Sequence, residues 1–368
     1  MPKTLRNVYY KYLTFDNLMK AHKKSQNGKT TRKNIVKFNL KQEEYIMWLY
    51  EKLKNRTYRH SGYTSFYVTE PKLRRIEKSI YIDRIVHRWY VDNFMQEHFV
   101  KSFSYSSFAC LKGKGMHNAC LYVQEMMKHC KRIWNNYYII KMDVAKYFQN
   151  IDKQILYEIL CRKIKDKNLL WLTREILYSN GLDKGLPIGN YTSQCFANIY
   201  LNELDQYMKH KLKLKYTCRY MDDVVALVNT KKEAIEKLNL IRSFLKDKLC
   251  LELNRKTQIF KSTQGVNFCG YKINEYRLKI RDKGKQKLKK KVKFLIGGVV
   301  FFISLSINFI ISSNSEETIL YFDNINAIAE KESGDDFTPT CIKAGYLCTG
   351  IDKNGNIGTF DGLSIDMD

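Results

Sequence analysis

The spacing of apolar and polar residues changes period along the chain, and each change marks an element. Over residues 38–55 (FNLKQEEYIMWLYEKLKN) apolar side chains recur at helical spacing, which predicts one helix with Asn39 as its cap. YRHSGYTSFYVTEPKLRRIEKSIYI (58–82) switches to alternation and is rich in Thr and Tyr, a strand pair crossed by a basic turn. DRIVHRWYVDNFMQEHFV (83–100) returns to a helical period, and NYYIIKMDV (136–144) is a buried strand ending at Asp143. Residues 152–179 read as helical. After the loop GLDKGLPIGN, a helix over SQCFANIYLNELDQYMKH places Phe196, Ile199, Tyr200, Leu204, Tyr207 and Met208 on one side. YTCRYMDDVVALV (216–228) reads as strand, tight acidic turn, strand; KKEAIEKLNLIRSFLKDKL follows as a helix, then short strands near LELN and NFCGYKI. Strands and helices in this order predict an α+β domain with an antiparallel sheet.

The ends of the chain differ from this middle. The first 34 residues hold no apolar run and read as a basic helical lead-in with a polar loop, KKSQNGKTTRKN, rather than a signal peptide. From Arg281 the text turns intensely basic (RDKGKQKLKKKVK) and then runs for 18 residues, 294–311, without a charge. That length is at the lower edge of the roughly 17–25 residues that span a bilayer, and the basic residues before it predict an inside N-terminal flank. A buried helix is the alternative.

Charge sharpens the division. The chain carries 64 Lys and Arg against 37 Asp and Glu, a formal +27. Residues 312–368 hold 11 acids and 3 lysines, a net −8, which leaves +35 on residues 1–311. Such an excess points to a polyanionic partner, nucleic acid or an anionic membrane surface. None of the ten cysteines is spaced C-x-x-C, so no zinc site is expected; the first eight read as small hydrophobes of a reduced, cytoplasmic domain.

The chemistry lies in three acids. Asp143 closes one buried strand, and Asp222 and Asp223 sit at the turn of a hairpin flanked by TCRYM and VVALV. An acidic pair after an aromatic is by itself an ordinary exposed turn. Adjacent acids in so apolar a hairpin are costly unless a cation neutralises them. Carboxylates at the ends of adjacent strands suit two Mg²⁺ ions about 3.5–4 Å apart, one activating a hydroxyl and one holding a triphosphate.

With these residues in view, the chain resembles the reverse transcriptases. KMDVAKYFQNID (141–152) is similar to their motif A, GLPIGNYTSQ (185–194) to motif B, RYMDD (219–223) to motif C, LNRKTQIF (253–260) to motif D and NFCGYKI (267–273) to the primer grip. LRRIEKSIYIDRIVH (73–87) resembles the fingers motifs and CLKGKGMHNA (110–119) the basic segment before the palm. The resemblance implies a right-hand fold, with a basic extension over 1–37, fingers over 38–135 and a palm with an antiparallel sheet over 136–280. It implies a thumb begun at 281–293 and then truncated or replaced by the apolar helix 294–311 and the acidic tail 312–368.

The family's roles carry over by position. Asp143 and Asp222 are implied ligands of two Mg²⁺ ions, which Mn²⁺ can replace, with Asp223 a weaker or structural third. Phe148 stands at the steric gate that selects deoxynucleotides, with Ile188 and Gly189 beneath the incoming base pair. Arg75 and Arg84 are implied triphosphate clamps, with Arg74 and Lys72 as readily a solvated strand face. Lys256 is the implied general acid, and Phe268, Cys269, Gly270 and Tyr271 form the primer grip. The implied partners are an RNA template, a DNA or RNA primer and dNTPs.

Ile188 before the glycine and Ser193–Gln194 after it resemble the enzymes of diversity-generating retroelements, which copy a template repeat with errors at adenines beside a small basic helical accessory protein. An antiphage-defence enzyme, or a thumbless and inactive nucleic-acid binder, are the alternatives. KKKVKFLIGGVVFFISLSINF resembles an export signal, and FDNINAIAEKESGDD with Cys341 and Cys348 is similar to short secreted NVEALA-type peptides of Bacteroidetes. An inner-membrane tether through 294–311, on an otherwise cytoplasmic protein, is the corresponding expectation.

Overall fold

The computed structural model describes residues 4–69, 73–282, 284–287 and 289, together with three backbone strands near the C-terminus. Residues 1–281 form one compact unit and residues 282–368 another.

The first unit opens with helices α1 (Phe15–Ser25), α2 (Lys33–Leu40) and α3 (Gln42–Lys54). A hairpin, β1 (Tyr63–Val68) with β2 (Arg74–Ser79), leads into α4 (Tyr81–Tyr90), which runs on as a π-helical turn over Val91–Met95. Then follow α5 (Met116–Trp134), β3 (Tyr138–Asp143), α6 (Lys153–Lys163), α7 (Lys167–Leu177) and α8 (Tyr191–His210). The hairpin β4 (Tyr216–Tyr220) and β5 (Asp223–Val228), helix α9 (Lys231–Leu249) and β6 (Gln258–Lys261) complete the main sheet. A small sheet of β7 (Val266–Phe268), β8 (Tyr271–Ile273) and β9 (Leu278–Ile280) closes the unit.

The main sheet is antiparallel in the order β4-β5-β3-β6. The central strand β5 is an almost unbroken apolar run because both faces of the sheet are covered there. Ile140, Met142, Val224, Ala226 and Val228 join the large core with α8 and α9. Their neighbours Ile139, Val225 and Leu227 face the other way, into a second core with α5, Cys218 and Phe268. Side chains on a strand point to alternate faces, so β3 and β5 serve both cores.

Several expectations need correction. The helix expected over 38–55 breaks at Lys41 (φ −134°, ψ 34°), and Asn39 lies within α2, where its amide donates to Gln26 Oε1 at 2.9 Å rather than capping a helix. Residues 152–179 hold two helices, because the Asp166 carboxylate accepts from the Asn168 and Leu169 amides and starts a new one. LELN contributes a single bridge, Leu253 to Val144, and the strand is β6. Helix α8 is buried well beyond one stripe, with Asn198 and Asp205 also inside. Cys110 and Cys250 are exposed rather than core hydrophobes, and both adopt positive φ. The hairpin of 58–82 is observed as β1 and β2, its residues 70–72 lying outside those described.

In the second unit, β10 (Ile342–Ala344), β11 (Leu347–Ile351) and β12 (Ile357–Asp361) form an antiparallel sheet, strands that the acidic composition of the tail did not suggest. The apolar span 294–311 and most of the peptide-like tail lie outside the described residues. Among those described, no helix is long and apolar enough to cross a membrane.

Candidate active site

Asp143 is the last residue of β3, and its Cα partner across the ladder is Asp223, the first residue of β5. Asp222 stands one step earlier, in the β4–β5 turn, and its carbonyl accepts from the Val144 amide at 3.3 Å. Burial raises the Asp222 carboxyl above its ordinary value and the charge of Asp143 raises it further, while Arg74 and Lys141 pull it down. Asp143 is thus close enough to disfavour the ionisation of Asp222. Asp223 is occupied differently, its carboxylate paired with Lys141. Burial lowers Lys141 to about 8 against the opposing pull of Asp143, and its ammonium lies 5.3 Å from the Phe268 ring centroid.

Among the described residues no set of three His, Cys, Asp or Glu is gathered to hold a metal. Asp143 and Asp222 offer hard oxygens with an excess of negative charge. That fits Mg²⁺, which keeps waters and takes one or two carboxylates alongside substrate phosphates. Enzymes of the family matched below use divalent ions.

The turn is held from behind. Met221, before Asp222, has φ +55°, a left-handed conformation that a side chain makes costly. Its carbonyl accepts from Arg219 Nη1 at 3.1 Å. The same guanidinium, 1% exposed, reaches Asp205 through Nε and Nη2, Asn198 Oδ1 at 3.0 Å and Ser107 Oγ at 3.0 Å. Helix α8 therefore presents Asn198 and Asp205 to fix the hairpin carrying two of the three acids.

The loop before α8 meets the β1–β2 hairpin. The Glu77 amide donates to the Ile188 carbonyl at 2.8 Å. Gly189 has φ +131°, and a Cβ there would lie 2.9 Å from Glu77 O and 3.1 Å from Ile76 Cγ2. The approach that requires glycine is that of β2. Ser79 Oγ bonds Asn190 Oδ1, and Asn190 Nδ2 donates to Tyr63 Oη at 3.1 Å, so both hairpin strands are docked.

The remaining expected residues are spread more widely. Phe148 is half-buried, edge-on to Tyr147 at 5.6 Å, and its carbonyl accepts from the Leu186 amide. Arg75 is largely exposed, 3.7 Å from Glu77. Arg84 Nε donates to Ser79 O at 2.9 Å and its guanidinium borders a cavity of ≈ 560 Å³ with Lys37, Lys78, Phe38, Tyr45 and Tyr81. None of the described lining residues is acidic. Lys256 is exposed, its amide donating to Asn254 Oδ1. Phe268 is buried; Cys269 (φ +46°) and Gly270 (φ +83°) form the β7–β8 turn, and Tyr271 Oη lies 2.9 Å from His117 Nδ1.

Four residues escaped the sequence. Arg74, which the sequence left as readily a solvated strand face, lowers the Asp222 carboxyl through its charge. Lys141 and Arg219 sit inside strands, where a cation reads as a surface position. Asn254 donates from Nδ2 to Asp143 Oδ2 at 3.2 Å. The signal for Arg219 was present: a cation in a strand otherwise buried, with Asn198 and Asp205 seven residues apart, two helical turns, on the preceding helix.

Comparison with known proteins gives the chain a family. The family model "Reverse transcriptase (RNA-dependent DNA polymerase)" matches residues 71–273. The COX1/OXI3 intron 2 protein of Saccharomyces cerevisiae is 24% identical over 237 residues, 47% of this chain. Protein YkfC of Escherichia coli is 25% identical over 244 residues, 55% of this chain. The chain spans 27% and 63% of those proteins' own lengths, less than two thirds of either. Among solved structures, telomerase from Candida albicans in complex with a fragment of telomeric RNA aligns with TM-score 0.46 and 10% identity, over 65% of this chain and 50% of that one.

Proposed function

From the premise that this chain belongs to the reverse transcriptase (RNA-dependent DNA polymerase) family, we propose that it extends a DNA or RNA primer with dNTPs on an RNA template, using Asp143 and Asp222 as the ligands of two magnesium ions. The observation that carries this reading is the convergence of these acids: Asp143 ends β3 opposite Asp223, Asp222 sits in the turn one residue before, and the charge of Asp143 raises the Asp222 carboxyl. Bound there, Mg²⁺ or Mn²⁺ would activate the primer 3′-hydroxyl and offset the charge of the triphosphate.

The chain's own residues do the rest. Asp223, tied to Lys141, braces the turn instead of completing the donor set. Arg74, with Arg75 beside it, offers guanidinium donors to the triphosphate from β2, which docks on the Ile188–Gly189 loop. Phe148 stands after the acid of β3 as the ring a ribose 2′-hydroxyl would strike. Lys256 supplies the proton for departing pyrophosphate, and the Phe268–Tyr271 turn holds the primer end. Arg84 is the other proposed triphosphate clamp, and the described lining of the cavity it borders holds aromatic and basic side chains and no acid. In this reading fingers occupy 38–135 and the palm 136–280, with 1–37 a basic extension, 281–293 the start of a thumb, and 294–311 and 312–368 an appended apolar span and acidic tail.

We further propose the diversity-generating retroelement subfamily, on the strength of Ile188 before Gly189 and Ser193–Gln194 beyond it. Such an enzyme would work beside a small basic accessory protein. Primer extension with Mg²⁺ on an RNA template tests the activity. Incorporation that disappears in Asp143→Asn and Asp222→Asn is the expected result. Tight RNA binding with no extension by the parent chain would instead favour an inactive nucleic-acid binder.

A further inference from the structure

The segment that follows α9 runs back along the chain leaving β3. The Ala145 amide donates to Glu252 O at 2.8 Å, Leu253 bridges Val144, and the Asn254 amide donates to Asp143 O at 2.7 Å. Asn254 is thereby pinned, through its backbone, beside the residue proposed as a metal ligand. Its side chain is used at both ends. Oδ1 accepts from the Lys256 amide at 3.1 Å, and Nδ2 donates to Asp143 Oδ2 at 3.2 Å. The orientation is chemically forced: the end facing a backbone N–H must be oxygen, which leaves only N–H donors for the carboxylate. A second turn bond, Thr257 N–H to Asn254 O at 2.9 Å, stiffens the same loop.

We propose that Asn254 is a positioning residue of this site: it fixes one oxygen of Asp143, leaving the other to a divalent cation, and registers the Lys256 loop against the same carboxylate. The inference rests on the reading of Asp143 as a metal ligand. An aspartate carboxylate turns readily about its two side-chain bonds, and a donor holding one oxygen removes that freedom before any cation arrives. The backbone partner of Asn254 is the main chain of Asp143 itself, so the amide and the carboxylate move as one piece. Asn254 need not touch substrate to act.

The test uses the full chain with Mn²⁺ as the probe, its free concentration followed by electron paramagnetic resonance in the absence of nucleic acid. Asn254→Ala removes both side-chain bonds. Asn254→Ser keeps an acceptor able to cap the Lys256 amide but is too short to hold Asp143, and it serves if the alanine variant folds poorly. Both variants are expected to bind Mn²⁺ about tenfold more weakly, the usual scale for losing a partner of a metal ligand. In primer extension kcat falls while KM for dNTP stays at the parent value. Parent-like Mn²⁺ affinity and kcat in the serine variant, or a loss of thermal stability alone, would overturn the proposal. Asp143→Asn separates the levels. If it too binds Mn²⁺ and extends primers normally, the reading of the whole site is wrong; if it loses both while the Asn254 variants keep both, only this inference fails.

Discussion

Arg219 donates to Asp205 through Nε and Nη2, at 2.9 and 2.7 Å, with both side chains almost wholly out of water. The pair links the strand before the acidic turn to the middle of α8. Its remaining donors go to Asn198, Ser107 and the Met221 carbonyl, so the desolvated guanidinium is well supplied with partners. A buried ion pair adds little stability over apolar packing, but losing one partner strands the other.

Asp205→Asn should therefore cost about 3–5 kcal/mol, the range for breaking a buried pair from one side. Urea unfolding measures it. Arg219→Lys should fail similarly, because an ammonium cannot reproduce the planar fork. A loss below 1 kcal/mol would mean that water or a neighbouring group satisfies the survivor.

Gly189→Ala should loosen the β1–β2 hairpin. The new Cβ would crowd the Glu77 carbonyl at 2.9 Å on a backbone at φ +131°. Strain of about 1–3 kcal/mol is expected from such a position. Hydrogen exchange at the Glu77 amide, bonded to Ile188 O in the parent, should speed up selectively. Uniform exchange across β2 in both proteins would count against the docking role.

Acid should destabilise the fold through His87. Its ring is buried against Thr192, with burial the main cause lowering it from 6.5 to about 3 and the nearby His60 and Arg84 adding to it. The folded state holds the neutral imidazole, so this contribution is complete above pH 6.5 and is lost as pH falls from there towards 3. The slope approaches about 1.4 kcal/mol per pH unit for one proton. His22 and His60, also lowered by burial, act in the same direction. In His87→Asn the drop in unfolding free energy between pH 7 and pH 5 should be smaller; an equal drop would assign the effect elsewhere.

Fidelity tests the subfamily proposal. Ile188 is half-buried and lends its carbonyl to Glu77, leaving only an aliphatic side chain where a glutamine would offer hydrogen bonds. Ile188→Gln should lower misincorporation opposite template adenines, as read by sequencing the cDNA. An unchanged error spectrum would remove this residue as the source of infidelity.

The acidic hairpin and the strand ending at Asp143 were legible in the sequence because both flanks are long apolar runs, which only burial on two faces explains. The strand pair of 58–82 was legible from alternation. Less visible were features in which a polar residue carries the structure. Arg219 lies in a flank read as buried, but its partners lie on α8, and no local pattern connects positions that meet only through folding. Asn254 sat in a stretch that alternation marked as strand, whereas its amide makes a turn and reaches back 111 residues. Lys41 and Asp166 broke continuous helices for local reasons, one by its dihedrals and the other by capping, and hydrophobic period averages over such points.

The two-faced character of β3 has a consequence for insertions. Moving its register by a single residue would exchange Ile139 and Ile140 between the two cores and turn the Asp143 carboxylate to the reverse side of the sheet. The acid's address is in this sense an odd–even code. Lineages in which the strand grew or shrank by one residue would lose the placement of this acid even if every side chain survived.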